Sequence, residues 1–352
     1  MPEDLRGMLQ ESLEATIGAL EKEDNFSGVV LVCDATETVF SGAWGLASRT
    51  WKVANTLENL FHVASITKMF TATAVLQFVE AGQLALDQPV GSILTLRDTK
   101  ISRQVTIRHL LTHTSGIADY FDEENEGTDA LPKVFETTPL HCVRHLSDFL
   151  PLFSSGGAYF APGDRFQYCN AGFILLGLVV ERITGQEYFG VIGNKVFVPS
   201  GMTKSRFCNS DSICENLSDG YVISCVGEDE RNWQRNVSRM LPPAADGGAV
   251  ASAVELIRFM QALRGGCLLG QETAQAMCSQ QVDAGDGWGY GFGVWVQHKK
   301  DELVRYGHTG EDPGISARLW HYPASNVDVV ILCNMSQVAG YVSRTIHELI
   351  AV

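Results

Sequence analysis

The 352-residue sequence contains no Cys-x-x-Cys pair, no cluster of lysines and arginines and no run of 18 uninterrupted apolar residues. The first absence, with an odd count of nine cysteines, argues against a zinc ribbon or a disulfide framework and for reduced, mostly buried thiols. The second removes nucleic acid from the expected partners: 41 acidic residues against 26 basic ones give a formal net charge of -15, and nothing follows a phosphate backbone. The third leaves no membrane-spanning helix and no expected membrane partner. Met1-Pro2-Glu3-Asp4-Leu5 has neither the positive n-region nor the apolar h-region of a leader, so a cytoplasmic location is expected unless a leader has been removed. No Gly-x-Ser-x-Gly elbow occurs, which argues against an α/β-hydrolase. Gly287-Trp288-Gly289-Tyr290-Gly291 flows into a strand pattern instead of opening a helix, so it is no dinucleotide loop and no cofactor is expected. His141 and His145 stand four apart with no third ligand in view, so no metal is expected either.

What is present reads as an α+β protein. Leu5, Met8, Leu9, Leu13, Ile17 and Leu20 recur at helical spacing and predict a first amphipathic helix lying against a sheet. Val29 to Cys33 and Thr38 to Phe40 are β-rich runs joined by a hairpin. After Leu86-Asp87-Gln88-Pro89 the character changes to helices and polar loops, including Thr106 to His113, an acidic loop around Asp122-Glu123-Glu124-Asn125-Glu126, and a helix from Asn170 to Thr184. The last third returns to strands: Trp288 to Val296 alternates at period two, and Glu302 to Tyr306, Ile315 to Tyr322 and Val327 to Cys333 follow, with helices over Val254 to Leu263 and Tyr341 to Ile350. Residues 1–86 with 241–352 are therefore expected to share one antiparallel sheet flanked by helices. Residues 87–240 are expected to form an inserted all-helical lobe, with the site in the cleft between the two.

The chemistry centres on Phe61-His62-Val63-Ala64-Ser65-Ile66-Thr67-Lys68. Ser65 sits where a helix would begin, and an apolar run from Met69 through Leu84 follows. Residues three apart share a helix face, so the Ser65 hydroxyl and the Lys68 amine would lie side by side at the positive end of the helix dipole. A lone Ser-x-x-Lys reads by default as a helix cap. Tyr168-Cys169-Asn170 changes that, because positions i and i+2 of extended backbone point to one side and bring Tyr168 and Asn170 to a common site. His308-Thr309-Gly310, ending the strand Val304 to Gly307, and the turn Glu311-Asp312-Pro313-Gly314 offer a backbone edge to a bound substrate.

With these three elements the chain resembles the serine β-lactamase and penicillin-binding-protein superfamily, whose signature is Ser-x-x-Lys with two further short motifs. It is most similar to the branch holding class C β-lactamases, D-alanyl-D-alanine carboxypeptidases, D-aminopeptidases and β-lactamase-like esterases. Leu110-Leu111-Thr112-His113-Thr114-Ser115-Gly116-Ile117, Phe160-Ala161-Pro162-Gly163, Asn170-Ala171-Gly172-Phe173 and Gly307-His308-Thr309-Gly310 with Pro313-Gly314 carry the likeness in the family's order. The resemblance implies a β-lactamase/transpeptidase-like fold with Ser65 as nucleophile, Lys68 as base and Tyr168 as proton relay. It also implies an oxyanion hole from the backbone N–H groups of Ser65 and Glu311, with Asn170, His308, Thr309, Gly310 and Glu311 meeting substrate. Lys68 as a base at neutral pH needs its pKa lowered by about three units, or about 4 kcal/mol. Class C relatives usually carry Lys where His308 stands, so carboxylate binding is expected to be weaker. Glu311 and Asp312 are expected to disfavour β-lactams and favour neutral or amine-bearing substrates.

The expected activity is serine hydrolysis of a small amide, D-amino-acid peptide, β-lactam or ester through a Ser65 acyl-enzyme. Acyl transfer to an amine or alcohol at the same site is a second reading. A non-hydrolytic receptor or scaffold is a third, opposed by the retention of Ser65, Lys68 and Tyr168 together. The sequence does not encode the oligomeric state.

Overall fold

Val29 to Val32 is a run of β-branched and leucine side chains with no polar alternation, the pattern of a strand buried on both faces. In the computed structural model, which describes residues 1–35, 37–123, 127, 133–226 and 230–351, it forms the strand Gly28–Cys33, one in from the edge of an eight-stranded sheet and paired on both sides. Across the sheet the strands run Val282–Gly285, Trp288–Tyr290, Trp295–Lys299, Glu302–Asp312, Ile315–Tyr322, Val327–Cys333, Gly28–Cys33 and Thr38–Trp44. Every neighbouring pair is antiparallel. Strands from the two ends of the chain thus pair directly, Val30 opposite Ile331.

The period of two divides the side chains between two cores. Val30 and Val32 pack with Val329 and Ile331 under the helices Glu3–Lys22 and Ala339–Ile350, through Leu9, Leu13, Ile17, Val342 and Ile346. Val29 and Leu31 face the larger core, which is continuous with the helix Thr67–Glu80 and the middle segment of the chain. That helix is buried all round, and Phe70 meets Phe197 and Phe259 edge-on at 5.1 and 4.9 Å. Truncating Phe70 to alanine removes a filled aromatic contact at a cost of about 3–5 kcal/mol.

The segment 87–240 is helical through Tyr188–Ile192, with Ile107–Leu111, Leu146–Phe153 and Asn170–Thr184 as its other main turns. Beyond that point it carries strand in place of the expected all-helical lobe: Arg206–Phe207 pairs with Ala249–Ala251, and Tyr221–Val226 pairs with Glu230–Arg235. Trp288 to Val296 is not one strand but two, Trp288–Tyr290 and Trp295–Lys299. The break falls at Gly291, whose N–H donates to the Val294 carbonyl at 2.8 Å, and at Gly293, held at φ +73°. Gly293 admits no side chain, because a Cβ there would lie 2.6 Å from Ala72 Cβ and 3.0 Å from the Lys68 carbonyl on the helix Thr67–Glu80. Residues 124–126 of the acidic loop and Thr36 of the first hairpin lie outside the described residues.

The strand expected to end at Gly307 continues to Asp312, because Tyr306 to Asp312 pair with Ile315 to His321 on one side. On its other side the strand Trp295–Lys299 pairs only with residues up to Gly307. His308 to Asp312 therefore form an edge beside the turn that carries Ser65.

Candidate active site

Ser65 lies in a 3-10 turn, Ala64–Ile66, that runs straight into the helix Thr67–Glu80. Its hydroxyl caps nothing; its partner is Lys68, whose Nζ sits 2.8 Å from Ser65 Oγ. Ala64 holds φ at +44°, a left-handed conformation that costs a non-glycine residue about 1–3 kcal/mol and persists only where packing enforces it. The enforcement comes from the edge strand. Gly310 passes so close that a Cβ would stand 2.2 Å from the Val63 carbonyl and 3.2 Å from Ala64 Cβ.

Lys68 is fully buried and makes three contacts: Ser65 Oγ, Asn170 Oδ1 at 2.7 Å and the Asp246 carbonyl at 2.8 Å. Two of those three oxygens can only accept. A protonated Lys68 donates to all three. A neutral Lys68 keeps its N–H groups on Asn170 and Asp246 and turns its lone pair to Ser65, the one partner with a proton to give. Burial lowers the Lys68 pKa, while the carboxylates of Asp246, Glu123, Asp119 and Asp312 work against it; burial wins.

Tyr168 and Asn170 do converge, from either side of Cys169. Asn170 begins the helix Asn170–Thr184, and its Nδ2 donates to Glu123 Oε1 at 2.9 Å while its Oδ1 accepts the hydrogen bond from Lys68 Nζ. Tyr168 and Ser65 line one cleft, and Lys68 Nζ lies 4.9 Å from the Tyr168 ring centre. Desolvation and the nearby Glu123 push the Tyr168 pKa well above the usual phenol value, so the free protein carries it as a phenol. Its ring stacks parallel to Trp295 at 6.0 Å and against His113 at 4.3 Å. His113, buried at φ +56°, accepts the Cys169 N–H on Nδ1 at 3.0 Å and so fixes the backbone between the two site residues.

The remaining expected site residues divide. Thr309 and Glu311, two apart on one face of the strand, line a cleft with Ser65, Glu123, Phe166, Tyr168 and Trp295. His308 does not reach that cleft. It has no exposed surface, its Nδ1 donates to the Thr309 carbonyl at 2.6 Å, and its Nε2 accepts from the Tyr290 hydroxyl at 3.0 Å. A carbonyl only accepts, so this tautomer is the neutral one that fits both partners. Burial pushes the His308 pKa to about 3, with Lys68 adding to the drop. In place of a substrate contact, His308 supports Tyr290 and Tyr168 from behind. The Glu311 charge is also committed, Oε1 taking Arg318 Nη1 at 2.5 Å and the Ser316 hydroxyl at 2.8 Å.

Two acids that the motifs did not single out, Asp119 and Asp246, complete the site. Asp119 accepts the Asn170 and Ala171 N–H groups at 2.6 and 2.9 Å, capping the helix that carries Asn170. Desolvation pushes its pKa up to about 7. Asp246 supplies the carbonyl for Lys68 and its carboxylate accepts the Tyr120 hydroxyl at 2.5 Å. Glu123, Asp246 and Asp312 line a second cavity that opens at Ser65 and Asn170. Asp246-Gly247-Gly248 was the one local cue, an acid followed by residues small enough to let backbone approach the nucleophile turn. Among the described residues no group of three or more His, Cys, Asp or Glu is placed to hold a metal ion, and no helix is long and apolar enough to cross a membrane. His141 and His145 fall on separate elements, a 3-10 turn and the N-cap of the helix Leu146–Phe153.

A mixed α+β fold with a large antiparallel sheet, bearing a Ser-x-x-Lys pair and a Tyr-x-Asn element at one cleft, defines the class. The chain belongs to the Beta-lactamase family, which it matches over residues 13–350. It is 27% identical to penicillin-binding protein 4* of Bacillus subtilis (strain 168), covering 94% of this chain and 73% of that one. It is 31% identical to esterase EstB of Burkholderia gladioli, over 78% of this chain and 76% of the esterase. The crystal structure of a penicillin binding protein from Bacillus halodurans superposes with a TM-score of 0.87 at 35% identity, over 95% of this chain and 99% of that one.

Proposed function

We propose that the protein is a serine hydrolase that acylates Ser65 and acts on a small amide, D-amino-acid peptide or ester. The observation that carries this reading is Lys68, buried on two fixed acceptors with Ser65 as the only partner able to donate to it. Neutral Lys68 takes the Ser65 proton as Oγ attacks the substrate carbonyl. The N–H groups of Ser65 and Glu311 hold the oxyanion, with the edge strand standing against the nucleophile turn. Tyr168, kept protonated by its surroundings, passes a proton to the leaving group and is restored by Lys68. Water then repeats the sequence on the acyl-enzyme. The esterase and penicillin-binding names of the relatives support carbonyl chemistry of this class.

The substrate preference follows from charge. No Lys or Arg side chain is among the described residues lining the two cavities at Ser65, His308 is neutral, and Arg318 is paired with Glu311. Glu123, Asp246 and Asp312 crowd the other side, each pushed above the ordinary carboxylate range, first by desolvation. An ammonium group on the acyl portion relieves that crowding; the carboxylate of a β-lactam adds to it. A neutral p-nitrophenyl ester and a D-alanyl p-nitroanilide should be hydrolysed faster than nitrocefin, and Ser65→Ala should abolish all three activities. Nitrocefin turning over fastest would overturn the preference, and full activity in Ser65→Ala would overturn the nucleophile. Glu123→Gln should lower kcat/KM for the D-alanyl substrate about five- to tenfold relative to the neutral ester, the effect of one charge removed from a partly buried site.

A further inference from the structure

Away from the cleft, the strand Arg206–Phe207 leads into Cys208, and the chain returns after five residues to place Cys214 beside it. Cys208 is buried and Cys214 half-buried, in a small apolar cluster with Leu60, Val250 and Leu217 that stands apart from the two main cores. Cys214 packs against the cluster that holds Cys208. Arg206 completes the group: its Nε lies 3.3 Å from Cys214 Sγ, and its Nη2 donates to the Glu215 carbonyl at 2.9 Å, which anchors the guanidinium over the sulfur. None of these residues lines the cavities at Ser65.

The arrangement is asymmetric. A guanidinium keeps its proton at any physiological pH, so its hydrogen bond to Cys214 favours the thiolate. The neighbouring Cys208 and the Arg206 guanidinium hold the Cys214 pKa below the usual thiol value against the cost of burial. The neighbouring Cys214, with burial, pushes Cys208 up and keeps it a thiol. A stabilised thiolate reachable from solvent, packed against the cluster that holds a second, protonated thiol, is the pairing that a two-cysteine redox site requires.

We propose that Cys208 and Cys214 form a peroxide-reactive thiol pair, in which Cys214 is the attacking sulfur and Cys208 closes the product to a Cys208–Cys214 disulfide. The Cys214 thiolate attacks one oxygen of hydrogen peroxide; the S–O bond forms as the O–O bond breaks, and the departing hydroxide takes a proton to leave as water. Cys214 is then a sulfenic acid, oxidised by two electrons, and the peroxide is reduced. Cys208 gives up its proton and attacks the Cys214 sulfur; the S–S bond forms, the S–O bond breaks, and the hydroxyl leaves with that proton as a second water. A dithiol reductant restores both thiols by exchange.

The chain supplies its own controls in Cys142 and Cys267, both exposed. Limiting iodoacetamide at neutral pH, read by peptide mass mapping of the wild-type protein, should label Cys214 about tenfold faster than either control despite its lower exposure. Arg206→Gln should slow labelling at Cys214 alone. Equimolar hydrogen peroxide followed by non-reducing digestion with cleavage after Glu215, which separates the pair from Cys225, should give a peptide lighter by the mass of two hydrogens. In Cys208→Ser that loss should vanish and dimedone should instead trap a sulfenic acid on Cys214. Labelling that simply follows exposure, with Cys142 and Cys267 ahead of Cys214, would overturn the proposal, as would peroxide treatment that leaves the pair unlinked in the wild type.

Discussion

Lys68 Nζ stands 2.8 Å from Ser65 Oγ, and its two other hydrogen bonds end on the Asn170 amide oxygen and the Asp246 carbonyl, neither of which can return a proton. Only the neutral amine can act on Ser65, so kcat/KM for a neutral ester should rise with pH through the Lys68 pKa. Asp246 is the largest of the charges that hold that pKa up. Asp246→Asn keeps an acceptor for Tyr120 and removes the charge, which lowers the Lys68 pKa and should move the acidic limb of the pH profile to lower pH. A limb that moves upward would assign it to another group.

Ser65 and Lys68 share one proton, and groups that act as a unit are not additive. Ser65→Ala and Lys68→Met should each lower kcat/KM by about a thousandfold or more, and the double variant should be no worse than the poorer single one. Steady-state rates on the ester for the three proteins decide this. A double variant weaker by the product of the two losses would mean that the residues work independently.

Asp119 caps the helix of Asn170 from a separate segment of chain. Asp119→Ala should destabilise the fold by about 1–2 kcal/mol, the cost of a lost N-cap. The pH dependence has a defined sign. The folded pKa of about 7 lies above the ordinary 3.8, so between these values the native state holds a proton that the unfolded state has released. This contribution to stability is complete below about pH 4 and is lost as pH rises through 7. Chemical denaturation across that window should show a slope in the wild type that flattens in Asp119→Asn; an unchanged slope would place the titration elsewhere.

Gly310 is where the edge strand touches the nucleophile turn. A Cβ 2.2 Å from the Val63 carbonyl must displace backbone, since neither partner is a flexible side chain. Gly310→Ala should cost about 1–3 kcal/mol by overpacking and lower kcat/KM more than tenfold by moving Ser65 from its donors. Thermal unfolding and ester hydrolysis measured together test it, and an unperturbed rate would show that the turn tolerates the shift.

Much of this architecture was legible in the chain. Period-two and period-3.6 patterns placed the terminal helices and the strands from both ends of the sequence, because burial on a regular element repeats at the element's own spacing. The convergence of Ser65 with Lys68, and of Tyr168 with Asn170, was legible because the members of each pair stand only two or three residues apart. The hairpin Tyr221–Val226 with Glu230–Arg235 is not legible as a pair, since Glu230–Arg235 is polar except for Trp233 and carries no period-two apolar pattern to mark the second strand. The run from Trp288 to Val296 was read as one strand because Gly-spaced alternation survives a tight turn.

What the sequence alone determined is the pairing of a hydroxyl and an amine three residues apart, at the head of a helix whose apolar residues commit it to the interior. The tertiary structure decided the state and company of each group. It turned His308 inward to Tyr290, tied Glu311 to Arg318, and brought Asp119 and Asp246 to the helix start and the lysine from distant segments. The physical reason is that protonation, pairing and exposure depend on what the surrounding chain removes from water. That is a property of three-dimensional neighbours, and local spacing does not record it.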